Sequence, residues 1–214
     1  MRPWIALVIV PAAALLAAAP PARAARPRIE RVAARAQLFK GDFGQALVWG
    51  KDVEALGFSA DAEFQNKALA FVGFGIQVPG GYDDFAGIEL KDRVAVIARS
   101  VPDLPAFAPL PMAERGLLAR LRKLEHAQVA AVIVLVDGPL HLPQPEAGPA
   151  KLDLPVLVMP PATLVADCGD LAARLQKIRE TGQPQSQDFI YAPWTTLSLG
   201  LKLKRTVAAP RARD

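Results

Sequence analysis

Residues 129–136 read VAAVIVLV, eight apolar residues without a break, five of them β-branched. A strand with one wet face alternates apolar and polar side chains, whereas an unbroken run of strand length must be covered on both faces. The residues before it predict what supplies part of that cover. Leu117, Leu121 and Leu124 recur at i, i+4 and i+7, with Leu118 beside them. Arg115, Arg120, Arg122 and Lys123 fall mostly on the other side, so an amphipathic helix buries its leucine stripe and turns its cations to water. Pro111 suits that helix's first turn, and Asp137-Gly138-Pro139 ends the strand.

The same logic extends along the chain. Short apolar pieces between Gln45 and Ala70 (ALVWG, ALGFSA, KALAFVG) predict short strands, and further strands are expected at 69–74, 93–99 and 154–159. Leu164, Cys168, Leu171, Leu175 and Ile178 mark a second helical stripe, with a break possible at Gly169 and a stop at Gly182. From 195 to 205 leucines alternate with Ser198, Gly200, Lys202 and Lys204, the period of a strand with one dry face. The expectation is an α+β fold that is mainly β, a sandwich or partly open barrel, with two flanking helices.

The start of the chain reads as a targeting signal. Arg2 precedes an apolar stretch from Trp4 to Ala19, and Ala22-Arg23-Ala24 offers a small-x-small cleavage site. Pro11 and the short span argue against a stable membrane helix. The division expected is a signal peptide at 1–24, a linker or short helix at 25–42, a domain at 43–205 and a flexible tail at 206–214. Loss of Arg2 and Arg23 would lower the formal charge from +4 to +2. That is too weak to call for nucleic acid. The chain is expected to be exported, periplasmic or secreted, with no stable membrane span after cleavage. Its one cysteine, Cys168, has no internal disulfide partner and reads as a small buried hydrophobe.

Residues 71–99 hold what looks most like chemistry. Gly73-Phe74-Gly75 begins a dinucleotide-type loop, but Val78 stands where the third glycine belongs and Pro79-Gly80-Gly81 follows where a helix should open. Turns and close backbone approach explain these glycines better. Asp83 and Asp84 are adjacent, so on a strand they would face opposite ways; in a loop they suit bonds to nearby backbone amides. Metal ligation has only His126 and His141 to draw on, and the set Asp137, His141 and Asp153 matches no ligand spacing. Ser59, Ser100, Ser186 and Ser198 sit in no nucleophile motif. No catalytic residue, metal site or cofactor is expected.

One resemblance gathers these pieces. Phe71-Val72-Gly73-Phe74-Gly75-Ile76, then Tyr82-Asp83-Asp84-Phe85-Ala86-Gly87-Ile88, then Leu90-Lys91-Asp92-Arg93-Val94-Ala95-Val96-Ile97 resembles the protease-associated (PA) domain inserted in secreted zinc aminopeptidases of the glutamate-carboxypeptidase and transferrin-receptor kind. Lys123 to Ile133 through Asp137, and Leu154-Pro155-Val156, are similar to the family's later motifs. Two departures stand out: Asp92 replaces the usual Gly, and Gln128-Val129 stands where Gly-Ala is usual. The resemblance implies a PA-like domain in which Gly73, Gly75, Tyr82, Asp83, Asp84 and Gly87 are structural motif residues. None of the family's zinc ligands can be placed on this sequence.

Two functions follow from it. One is a non-catalytic PA-like module for protein or peptide interaction or substrate access. The other is the N-terminal accessory part of a zinc aminopeptidase whose catalytic domain is missing or separately encoded. The partner expected is a peptidase domain or a peptide or protein ligand. Tyr82, Tyr191 and Trp194 are the candidate binding aromatics.

Overall fold

The computed structural model describes residues 28–140, 152–189 and 195–206. The segment read as a targeting signal, His141, Tyr191, Trp194 and residues 207–214 of the expected tail lie outside the described residues. Nine strands form one curled, half-barrel sheet: β1 (Arg28–Lys40), β2 (Phe43–Ala46), β3 (Glu54–Ala55), β4 (Ala62–Phe71), β5 (Val94–Ala98), β6 (Ala131–Leu135), β7 (Val156–Met159), β8 (Gln187–Asp188) and β9 (Thr195–Thr206). Their order is β2-β1-β9-β4-β5-β6-β7-β3, with β8 also on β4. The predicted α+β, mainly β class is what the chain adopts.

The sheet has two halves, and β4 belongs to both. Its first part pairs antiparallel with β9, which pairs antiparallel with β1. Its last three residues pair parallel with β5, which begins the parallel run β5-β6-β7. The apolar run that set the strongest constraint supplies β6, every residue of which is buried. Ala131, Ile133 and Leu135 join one core cluster, and Val132 and Val134 join the other. The first core is closed by Leu164, Leu171, Leu175 and Ile178 and by leucines of β9; the second by Leu121 and Leu124.

Each predicted helical stripe is split at a glycine. The first becomes α1 (Met112–Arg115) and α2 (Leu117–His126), broken at Gly116. The second becomes α3 (Pro161–Cys168) and α4 (Leu171–Thr181), broken at Gly169. The Asp170 carboxylate accepts from the Ala173 amide to cap α4, and Gly182 ends it in left-handed backbone.

Two sequence expectations are corrected. Residues 25–42 were expected to be a linker or short helix, but Arg28–Lys40 is a 13-residue strand paired with β9 along its whole length. Ala36 and Leu38 alternate into the core, whereas residues 30–33 are exposed and the register slips between Arg31 and Ala33. The domain therefore begins well before residue 43. The other correction is Arg120, placed on the wet side of its helix yet only 1% exposed. It stands three residues after Leu117 and four before Leu124, inside the stripe.

Candidate functional site

The stretch 73–85 folds into a polar knot over the end of β4. Past β4 the chain turns through Gly73 (φ 51°) and Gly75 (φ 67°), in left-handed backbone that favours glycine. Gly73 is required on a second count: a Cβ there would lie 2.3 Å from the Asp84 Oδ1. The Asp84 carboxylate fills that space. Its Oδ2 accepts from the amides of Phe74 and Ile76, each at 3.0 Å, and its Oδ1 accepts from the Tyr82 hydroxyl at 2.5 Å. The turn's amides have no ladder partner, so the buried side chain supplies the acceptor. Asp83 does similar work at the surface, accepting from the Phe85 amide and from the Gln77 side chain.

Arg120 ties Phe74 through its carbonyl. Its guanidinium donates to the carbonyls of Phe74, Ala98, Arg99 and Arg115. The Phe74 N–H is thus held by Asp84 and the Phe74 carbonyl by Arg120, which fastens the turn to the end of β5 and the start of α2. Burial lowers the Arg120 pKa to about 10, against an opposing pull from the Asp84 charge. Burial likewise pushes Asp84 up to about 7; the bonds from Tyr82, Ile76 and Phe74 pull it down, and Asp83 adds to the rise. Burial first, then the Asp84 charge, holds the Tyr82 hydroxyl far above its ordinary value.

The arrangement builds backbone geometry and offers no solvent path to a reacting group, since Asp84 is fully buried. Tyr82, proposed as an exposed binding aromatic, is corrected: it is 6% exposed, with its ring edge-on to Phe107 at 4.7 Å. Gly87 (φ 74°) is the turn residue of the motif and has open space around it. His126 is exposed at the end of α2. Cys168 is buried at the end of α3, and burial pushes its thiol up to about 12, far from a reactive thiolate. Among the described residues no group of three His, Cys, Asp or Glu side chains is placed to hold a metal ion.

What the knot does present is a wall. Beside it lies an open groove of about 700 Å³ between Gln77–Gly81 and Pro109–Pro111, rimmed by Asp83, Glu114 and Lys123. Arg120 is the residue that sequence reading missed; its place in the Leu117–Leu124 stripe was the available signal.

Asp92 and Gln128, where the sequence departs from the motifs it resembles, share one backbone conformation. Asp92 (φ 61°) and Gln128 (φ 56°) are two of three non-glycine residues in left-handed conformation among the described residues, and the Asp92 amide donates to the Gln128 carbonyl at 3.0 Å.

No family model matches the sequence, and no curated protein matches it. Solved structures with a similar arrangement include an aminopeptidase from Aneurinibacillus sp. strain AM-1 (TM-score 0.48, 16% identity, 84% of this chain and 36% of that one). A peptidase precursor from Shewanella amazonensis gives a TM-score of 0.44 at 17% identity over 86% of this chain and 37% of that one. A psychrophilic subtilisin-like protease from an Antarctic Pseudoalteromonas gives 0.34 at 12% identity over 86% and 38%. The chain therefore spans little more than a third of each neighbour's length.

Proposed function

We propose that this chain is an exported, non-catalytic PA-like module whose groove beside the 73–85 knot receives a protein or peptide. The observation that carries the reading is the use made of the motif residues. Asp84, the most enzyme-like side chain of the sequence, is sealed from solvent with its oxygens occupied by three protein donors. The backbone at Asp92 and Gln128 supports the PA resemblance, because both replace a usual glycine and both adopt the conformation that favours one. A second reading, the accessory part of a zinc aminopeptidase, is favoured by the pairing of Arg28 with Thr206, through which the chain enters and leaves the fold at one place.

Affinity capture from the exported fraction tests the proposal. The purified chain should retain a partner, and Lys123→Glu on the groove rim should lower its retention. It should neither hold zinc stoichiometrically nor cleave aminoacyl reporter substrates. Metal-dependent turnover abolished by changing His126 or His141 would sink the reading. A retained peptidase domain would select the accessory form of it.

A further inference from the structure

A second concavity, a trough of about 640 Å³, crosses the sheet from β1 to β5. The strand register explains its shape. Phe39 of β1 opposes Thr196 of β9, and Thr196 opposes Ala68 of β4. Arg93 directly precedes Val94, the β5 partner of Leu69, and so continues the row. Side chains opposed in this way share a face. The small Thr196 and Ala68 are the floor, flanked by an aromatic wall at Phe39 and a cationic wall at Arg93. Two residues further on, Ala70 and Ala95 lie in the core that Leu121 and Leu124 close, so the trough sits at the margin of that core. Asn66 lines it from the irregularity in β4 between Phe64 and Lys67, where its amide donates to the Ser198 Oγ at 3.0 Å. The trough shares no lining residue with the groove beside the knot.

The charges of the trough are not all matched. Asp92 pairs with Lys67 at 3.2 Å, and Asp42 stands exposed on the turn that follows β1. Arg93 is paired with neither. Its Nε is buried without an acceptor, and no ion pair reaches its guanidinium among the described residues. A guanidinium only donates, and buried donors are nearly always bonded. An orphan donor in a cavity wall therefore marks a place for an acceptor that these residues do not supply.

We propose that the trough binds a small organic carboxylate, which accepts from Arg93 while its apolar body lies over Ala68 and Thr196 against Phe39. The volume suits a small molecule, since such sites enclose roughly 300–1,000 Å³. The acceptor is a carboxylate because a guanidinium fork matches its two oxygens, and because Lys67 already answers Asp92 and leaves Arg93 as the unmatched cation. Asp42, at the Phe39 end, disfavours a second negative charge there, so the ligand carries its charge at one end only.

Titration of the isotopically labelled protein with N-acetyl-phenylalanine and with its uncharged amide, followed by backbone amide NMR, tests this. The acid should shift the amides of Ala68, Arg93 and Thr196 saturably and leave that of Gly81, in the groove beside the knot, in place. The amide keeps the apolar body and loses the charge, so it should bind about tenfold or more weakly, the cost of a hydrogen bond to a charged group. Arg93→Met should weaken binding of the acid by a similar factor and abolish its preference over the amide. Phe39→Ala should weaken both probes. If Arg93→Met does not fold, the comparison of acid and amide on the unaltered protein still decides. Shifts that grow linearly with added acid, equal affinity for acid and amide, or a preference that survives Arg93→Met would overturn the site.

Discussion

At the scale of single residues, the knot rests on positions that tolerate little. Gly73→Ala places a methyl group 2.3 Å from the Asp84 oxygen in backbone that disfavours any side chain. It should cost roughly 2–4 kcal/mol, from left-handed strain together with a displaced buried carboxylate, and equilibrium denaturation will read it. Arg120→Met leaves the buried carbonyls of Phe74 and Ala98 without their donor. Each orphaned group costs about 1–3 kcal/mol, so this variant should unfold at clearly lower denaturant. Gln128→Gly works the other way. Gln128 is exposed and sits at φ 56°, so glycine removes strain while losing little packing. A gain of about 0.5–1 kcal/mol is expected, and no gain would show that the Gln128 side chain offsets its own strain. Neither residue 92 nor residue 128 is glycine, so the sequence carries no sign of left-handed backbone there; only the structure shows it.

Secondary-structure elements were legible where burial is uniform. The strands β5, β6 and β7 are short apolar runs, and β9 keeps a clean period of two, so their side chains report their surroundings directly. The strand β1 does not. Its residues 30–33, Glu, Arg, Val and Ala, are exposed, and a register slip at Val32 interrupts the alternation, so the two buried positions Ala36 and Leu38 are too few to set a period. Its identity comes from β9, a partner more than 150 residues away, and not from its own pattern. Arg120 was hidden for a related reason: a charged residue in an apolar stripe reads as solvent-facing until the carbonyls that receive it are known. If β1 is integral to the core, Leu38→Ala should cost roughly 2–5 kcal/mol, the range for truncating a buried leucine. A cost under about 1 kcal/mol in thermal or chemical melts would mean that β1 is a detachable appendage.

For the whole molecule, the decisive feature is where the chain enters and leaves. Arg28 and Thr206 are partners on adjacent antiparallel strands, so the two ends of the described fold emerge about 5 Å apart. Closing a host chain across such a gap costs little more than a tight turn would, because loop-closure entropy depends on the separation to be spanned. The paired ends of β1 and β9 therefore suit the fold to insertion within a longer chain. Residues 28–206 placed in a surface loop of an unrelated host should leave both proteins folded. Host activity should be retained, and the insert should melt near the temperature of the isolated chain. The Arg120→Met substitution in the fusion should lower the insert's transition and leave the host's unchanged, because the knot follows the Phe71 end of β4 and the host joins the fold at the paired residues Arg28 and Thr206. Loss of host folding would mean that the ends are not held together as their pairing requires, and would remove the structural support for the accessory-domain reading while leaving the groove proposal to be decided by partner capture.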